Sequence, residues 1–433
     1  MSAYDHYKQV NAGWITKIPF HWEATPVKYV CTFNDEVLSE TSDPEALIDY
    51  VEISDVDESR GLKSSELMQY KEAPSRARRI VRDGDVIIST VRTYLRAVAP
   101  ITSPPENLIV STGFAVIRPE RLTSGFARYA LVAEGFVGSV IARSTGVSYP
   151  AINASDLVRI PVPVPPVDEQ IAIAAYLDAE TKRIDGLIKE KTKLLSLLAE
   201  LRSTTITDSV TKGLNPKAIL KDSGDPWLGK VPKHWDVVTF QRCVYVAEGQ
   251  VDPREEPYKS MLLIAPNHIE SGTGRILYTE TAGEQFAESG KYLSHSGDVI
   301  YSKIRPALRK VCIAPEDCIC SADMYPLRGA EKLTNNFLMW FMLSEPFSAL
   351  AVLESERVAM PKINRDSLKK VWIALPPINE QLAIHAYIEG ETHQIDALIS
   401  HVEAELEVLK ELRSSTITDA VLGRIDVRKS QTH

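Results

Sequence analysis

The chain is written twice. Asp168 to Ile188 and Asn379 to Ile399 share 12 of 21 residues at an offset of 211, and LRSTTITDSV from Leu201 meets LRSSTITDAV from Leu412 without a gap. Upstream, Trp14, Pro19, His21 and Trp22 return 213 residues later as Trp227, Pro232, His234 and Trp235. Gly84-Asp85-Val86-Ile87, Ser89, Arg92, Leu95 and Arg96 return at the same offset as Gly297-Asp298-Val299-Ile300, Ser302, Arg305, Leu308 and Arg309. Pro150, Ile152 and Asn153 return as Pro361, Ile363 and Asn364, now at 211. A period this long lies far above the roughly 20 to 50 residues of solenoid repeats, so it records a duplicated domain with an internal pseudo-dyad. The least similar segments are residues 34–80 and 247–293, a shared framework with different inserts.

Each copy reads as one globular module followed by one helix. Asp85-Val-Ile-Ile-Ser-Thr-Val and Asp298-Val-Ile-Tyr-Ser-Lys-Ile are short and rich in β-branched residues, and Gly-Asp introduces them, which predicts strands after a tight turn. Proline-rich stretches, Ile160 to Pro166 and Ile373 to Pro377, close the modules, and Asp168 and Asn379 stand where helix N-caps are expected. Ile184, Leu187, Leu194, Leu198 and Leu201 fill a and d heptad places with Lys191 the exception; Ile395, Leu398, Val402, Leu409 and Leu412 match them with Glu405 the exception. Two helices of one register are expected to pack on each other, antiparallel if they share the dyad of duplex DNA. The heptad stretch from Ile184 to Thr205 would be about 33 Å long, close to the ~34 to 36 Å between DNA half-sites one turn apart.

The expected fold class is therefore α+β: two β-rich mixed modules separated by two long, coiled-coil-like antiparallel helices. The boundaries are 1–165 and 214–375 for the modules, 166–213 and 376–426 for the helical regions, and 427–433 for a tail. The start, MSAYDHYKQVN, has no apolar core and no run approaches a membrane span of roughly 18 residues, so the cytoplasm is the expected location and no membrane partner is expected.

A net charge of −9 argues against a protein that coats nucleic acid through overall attraction. The positive charge is local. Residues 71–100 hold Lys71, Arg76, Arg78, Arg79, Arg82, Arg92 and Arg96 against Glu72, Asp83 and Asp85, and residues 301–310 hold Lys303, Arg305, Arg309 and Lys310 against no acid. Two basic runs at corresponding places in a duplicated fold point to phosphate contact.

Catalytic chemistry is not visible. Gly224-Asp-Pro-Trp-Leu-Gly-Lys230 fits the first seven positions of a phosphate-binding loop, but Val231 replaces the magnesium-binding hydroxyl and Pro226 interrupts the loop. None of the Pro-Pro pairs has the Asn or Asp before it and the aromatic after it that an adenine methyltransferase needs. His21 and His234, beside Trp22 and Trp235, are read as packing residues rather than bases. Five cysteines do not recur with the repeat, and Cys318-x-Cys320 lacks a second ligand pair, so neither a disulfide framework nor a metal site is expected.

Lys212-Gly-Leu-Asn-Pro216, Asp222-Ser-Gly-Asp-Pro-Trp-Leu-Gly-Lys-Val-Pro-Lys-His-Trp235, the repeated Pro-Pro-x-(Asp/Asn)-Glu-Gln and the duplicated helices resemble the specificity subunit of type I restriction-modification enzymes over nearly the whole chain. Trp14 to Trp22 is a looser copy, with Thr16 where the second half has Gly229. The resemblance implies two target-recognition domains, each reading one half of a bipartite asymmetric double-stranded DNA sequence. It implies helices that separate them and dock two methyltransferase subunits, with two motor-nuclease subunits completing a phage-defence complex. S-adenosylmethionine, ATP and magnesium would belong to those partners, and this chain would be non-catalytic with no cofactor of its own.

Phosphate positioning is assigned to Arg92, Arg96, Lys303, Arg305, Arg309 and Lys310, with Arg76, Arg78, Arg79 and Arg82 as a denser cluster that also reaches bases. Ser148, Tyr149 and Arg357, in the loops before the repeated Pro-x-Ile-Asn, and Lys362 within it, are further DNA-binding candidates; the partner interface is placed on exposed positions around Glu169, Gln170, Glu380 and Gln381, for which capping of their own helix start is an equal explanation. Two other readings stand beside this one: an adaptor that joins proteins and never touches DNA, which the paired basic runs oppose, and the recognition part of a methyltransferase acting alone, which the missing motifs oppose.

Overall fold

Two helices dominate the computed structural model, Val167–Lys212 and Ile378–Val421. The structure describes residues 3–39, 41–57, 61–330, 332–355 and 361–430. Asp168 and Asn379 do not cap the helices as the sequence suggested. The carbonyls of Pro166 and Pro377 accept the first helical hydrogen bonds, from Gln170 and Gln381, so Asp168 and Asn379 lie inside the first turn. There the Asp168 carboxylate complements the helix dipole.

The chain divides into two units, Met1–Thr192 with Ala404–His433, and Lys193–Glu403, so each helix contributes one half to each unit. In the first unit Asp185 meets Arg413 at 2.7 Å and Lys191 meets Glu405 at 2.5 Å, which makes the helices antiparallel there. In the second unit Arg202 meets Asp396 at 2.9 Å, the repeat equivalent of the Arg413 pair. The seam differs from the heptad reading by one residue at every d place. Ile184, Lys191, Leu198, Ile395 and Val402 keep their inward positions, but the partners inside are Ile188, Leu195, Arg202, Ile399 and Leu406. Leu194, Leu201, Leu398 and Leu412 face outward at 38% to 52% exposure. Arg202 is tolerated inside because its guanidinium bonds Asp396 and the carbonyls of Gly272 and Thr273, leaving no bare charge.

Each unit wraps one repeated strand on both faces. In the first unit, strand Val86–Ser89 lies between Val98–Pro100 and Phe114–Pro119, with Cys31–Phe33 at the far edge, all antiparallel. Its side chains alternate: Val86 and Ile88 enter a core with Phe126, Phe136, Ile173 and Leu177, while Ile87 enters a second core with Val51, Val110 and Val116. That is why the whole strand is apolar. In the second unit Val299–Ser302 does the same between Val311–Ile313 and Met324–Gly329, with Val299 and Tyr301 on one side and Ile300 on the other. Gly84 and Gly297, at φ of +86° and +82°, make the turn that leads in.

A second sheet lies over each. In the first unit the order is Glu66–Gln69, Leu47–Val51, Leu108–Ser111, Ala77–Ile80, with the central pair parallel. In the second unit it is Gln250–Val251, Lys291–Ser294, Cys318–Cys320, Leu263–Ile264, with the last pair parallel. Three strands correspond. The fourth lies beside Leu47–Val51 in one unit and beside Lys291–Ser294 in the other, an edge where the first unit has only an isolated bridge from Val37 to Arg79. The inserts therefore change an edge and leave the framework intact.

Residues 427–433, read as a tail, begin with a short turn, Val427–Ser430, and Val427 is buried in the first unit's core. All five cysteines are buried and free, and among the described residues no His, Cys, Asp or Glu cluster is arranged to hold a metal. Burial pushes the Cys31, Cys312 and Cys318 thiols up to about 12. Among the described residues no single helix is long and apolar enough to cross a membrane.

Candidate nucleic-acid interface

The repeated strand ends in a repeated turn, and that turn carries the basic residues. Ser89 and Ser302 donate their hydroxyls to the carbonyls of Val91 and Ile304, at 2.6 and 3.1 Å, which starts the turn. Arg92 and Arg305 then adopt left-handed backbone at φ of 51° and 48°, followed by one 3-10 turn that ends on Arg96 and Arg309, also left-handed at 53° and 46°. The Arg92 and Arg305 amides donate to the carbonyls of Pro150 and Pro361, at 2.7 and 2.9 Å. This is why Pro-x-Ile-Asn repeats: it is the seat on which the turn rests. A non-glycine residue held left-handed costs about 1 kcal/mol, so two equivalent pairs of such arginines mark a constrained element.

The turn brings together residues far apart in sequence. The Arg92 guanidinium lies 4.8 Å over the ring of Tyr149, both exposed, with Ser148 exposed beside them. Arg305 and Lys362 are exposed in the second unit, where Ile304 bridges to Lys362. Among the described residues Arg92, Arg305 and Lys362 have no acidic partner. Lys303 lies 5.1 Å over Tyr325 and Arg365 5.2 Å over the same ring. Arg357 lies outside the described residues.

Other predicted basic residues are engaged within their own unit. Arg96 and Arg309 bond Glu134 and Glu345, and Arg309 also donates to Ser348 at 2.8 Å, so this pair anchors the turn to the helices behind it. Lys310 donates to the Pro266 carbonyl at 2.7 Å. Arg76 pairs with Glu52 at 2.8 Å and Arg82 with Glu36 at 2.6 Å. Arg78 and Arg79 are half-buried on the strand Ala77–Ile80. Arg79 has no carboxylate partner among the described residues, and burial holds its pKa down. Such a cation gains from a phosphate or a base edge.

Arg118 and Arg328 were missed because they stand outside the basic runs. Each makes a two-pronged bond to the buried aspartate of Gly-Asp-Val-Ile: Arg118 to Asp85 at 2.9 and 2.8 Å, Arg328 to Asp298 at 2.7 and 2.8 Å. Asp85 and Asp298 also accept backbone amides, from Arg82 and His295, which locks the turn. In the first unit Glu36 joins the network, and hydrogen bonds from Arg82 and Arg118 hold its carboxyl down at about 2.

Of the four residues around which a partner interface was placed, three lie inside the fold, and the Glu380 side chain is 41% exposed. Glu169, Gln170 and Gln381 are buried, at 6%, 1% and 0% exposure. Glu169 accepts from Tyr4 at 2.7 Å and Trp22 Nε1 at 2.9 Å and pairs with His21 at 2.7 Å; burial would raise its pKa, but these bonds carry it below the ordinary value. Glu380 pairs with His234 at 2.7 Å and Trp235 at 2.9 Å. Gln170 accepts from the Thr123 amide and Gln381 from that of Thr334, at 2.7 and 2.8 Å. Glu-Gln thus pins each helix start to its module, and His21 and His234 serve this contact.

Residues 40–196 and 257–408 match the model of the type I restriction modification DNA specificity domain. The chain is 29% identical over 325 residues to the type I restriction enzyme EcoDI specificity subunit of Escherichia coli, covering 72% of each. It is 23% identical over 358 residues to a putative type I restriction enzyme MjaX specificity subunit of Methanocaldococcus jannaschii, covering 80% of this chain and 79% of that one. Among solved structures, one from a study of complex assembly and conformational transition of the type I R-M system matches at a TM-score of 0.73 and 23% identity, over 94% of this chain and 99% of that one. The HsdS subunit from Thermoanaerobacter tengcongensis matches at 0.51 and 24% identity, over 94% and 98%. With two specificity domains covering most of its length, this chain belongs to the family of type I restriction-modification specificity subunits.

Proposed function

We propose that this chain reads a bipartite, asymmetric double-stranded DNA sequence, one half-site per module, and carries no catalysis itself. Residues 1–165 and 214–375 are the readers, and 166–213 with 376–426 the spacers. The observation that carries this reading is the repeated turn, with Arg92 and Arg305 exposed, left-handed and free of acidic partners among the described residues. Arg92 with Tyr149, and Arg305 with Lys303 and Lys362, take the phosphates and flanking base edges; Arg79 reaches a base or phosphate from the first unit's variable sheet. Two methyltransferase subunits dock on the long helices, bind S-adenosylmethionine and methylate adenine. Two motor-nuclease subunits use ATP and magnesium to restrict unmethylated DNA.

Adenine-methylation mapping of cells that express the chain with its methyltransferase subunit, against cells lacking the chain, tests this. A two-part motif that vanishes with the chain is expected; methylation indifferent to its loss overturns the reading. Each helix runs unbroken from one unit into the other. Inserting one heptad into both helices adds about 10 Å with little rotation. The mapped spacer should lengthen while both half-sites stay the same.

A further inference from the structure

Strand Ala77–Ile80 carries a cation that nothing in its unit completes. Arg79 is paired with Val110 on one side and bridged to Val37 on the other, so its backbone is held from both edges. Its Nε is buried and makes no hydrogen bond, and no acceptor or carboxylate among the described residues meets the guanidinium. Burial lowers its pKa with no neighbouring charge to offset the effect. Other arginines of the same basic run are completed from within, Arg76 by Glu52, Arg82 by Glu36 and Arg96 by Glu134. A half-buried cation left without a partner is costly until an acceptor from outside supplies one. Only Nε is enclosed, so the two terminal nitrogens stay open as a pair.

The second unit fills the same place differently. Tyr292 stands there, paired with Cys320 and Gln250 as Arg79 is with Val110 and Val37. Arg365 lies 5.9 Å over the Tyr292 ring and 5.2 Å over Tyr325, which Lys303 covers at 5.1 Å. Arg365 is completed by Glu248 at 3.0 Å and by the Ala247 carbonyl at 2.7 Å. At the positions of Lys303, Tyr325 and Arg365 the first unit has Thr90, Ala115 and Ala154. One unit closes the place with a stack of cations and rings; the other has small residues there and a single open arginine.

Phosphates look alike along any duplex, so contacts to them should recur with the framework, as Arg92 recurs in Arg305. A contact to a base has to differ where two half-sites differ. Arg79 differs, and it stands in residues 34–80, one of the segments least alike in the two copies. With Nε enclosed, its guanidinium offers two terminal N–H groups end-on. Guanine answers with two acceptors, O6 and N7, in the major groove, whereas adenine sets a donor beside N7, cytosine offers a donor, and thymine has one acceptor. We propose that Arg79 is a specificity-determining residue of the first unit and reads a guanine in its half-site, a contact the second unit does not repeat. The inference rests on the DNA-reading function above and adds the identity of one base in one half-site. Guanine at that position is favoured over the other bases on the order of tenfold to a hundredfold.

Methylation mapping of the full chain with its methyltransferase subunit gives the parent motif, and the half that Arg92→Gly relaxes belongs to the first unit. That half should contain a G·C pair. Arg79→Gln and Arg79→Lys should admit other pairs at that one position and leave the second half-site unchanged. Thermal unfolding by circular dichroism checks that both variants fold. A measurement on the parent chain needs no variant: duplex carrying 7-deazaguanine, which lacks N7, at each guanine of that half in turn. At one guanine the parent complex should lose about threefold to tenfold in affinity, and Arg79→Gln should be indifferent to the change, with its salt dependence equal to the parent's. A first half-site without a G·C pair, or 7-deazaguanine tolerated at every position, overturns the inference. Weakening on all sequences alike, with the salt dependence flattened by about one charge, makes Arg79 a phosphate contact and overturns it as well. In each of these cases the two-part parent motif stands; a parent chain that yields no such motif overturns the DNA-reading function itself.

Discussion

Glu169 and Glu380 make the same bonds in different surroundings. Each meets a histidine at 2.7 Å and a tryptophan indole at 2.9 Å, and each joins a helix start to its module. Yet the Glu169 side chain is 8% exposed and that of Glu380 41%. The difference comes from the ends of the chain. Tyr4 donates to Glu169 from one terminus, and Arg428 reaches it at 3.4 Å from the other while lying 4.8 Å over the Tyr4 ring. The duplication supplies the contact; the sequence outside the duplicated core decides how deeply it is buried.

The largest effect should be the one both units share. Trp22 and Trp235 are both 0% exposed, so replacing either with alanine should cost about 3 to 5 kcal/mol. Denaturant unfolding should give similar losses, and strongly unequal ones would break the equivalence. Glu169→Ala and Glu380→Ala should then separate the units. The first leaves the buried Trp22 and Tyr4 donors unsatisfied and should cost about 2 to 3 kcal/mol, the second about 1 kcal/mol, because His234 is exposed and only the Trp235 indole loses its acceptor. Equal losses would mean that the chain ends do not close the first site.

Arg92→Gly and Arg305→Gly sharpen the comparison on the DNA side. Glycine relieves left-handed backbone, so thermal stability should hold or rise, while DNA affinity falls about tenfold and the salt dependence flattens by about one charge. Each variant should relax methylation through one half-site. A stability loss with unchanged binding would reassign the turn to structure. The smallest effect concerns acid. The Glu36 pKa is lowered from 4.5 to about 2, so its contribution is full above about 4.5 and lost as pH falls toward 2. In the second unit Gly249 stands at the equivalent position. Glu36→Gln should therefore flatten the pH dependence of stability in that window, measured by melting temperature, and the same dependence in both proteins would refute it.

Much of the frame was legible because duplication repeats a signal: the helices, the Gly-Asp strand entry and the basic turn each occur twice. The seam register was not. Leu194 and Leu195, Leu398 and Ile399, and Leu201 and Arg202 are neighbours, and the heptad pattern favours leucine over arginine. Only tertiary bonds to Asp396 and to the Gly272 and Thr273 carbonyls make Arg202 an inside residue. Glu169 read as exposed because its partner Tyr4 lies 165 residues away. Arg118 and Arg328 had one usable signal, recurrence at an offset of 210 in both halves. Local charge density hides this, because a lone arginine that locks a buried aspartate looks like any other.

Five thiols without disulfides, all inside the cores and raised in pKa, leave the surface of the protein without a reactive sulfur at neutral pH. A cysteine placed at an exposed site, such as Ser148 or Ser203's outward neighbour Thr204, would then be the one position that a maleimide dye labels in the folded chain. Fluorescence of such singly labelled protein would follow each half on its own as DNA and partner subunits arrive, with no native cysteine removed.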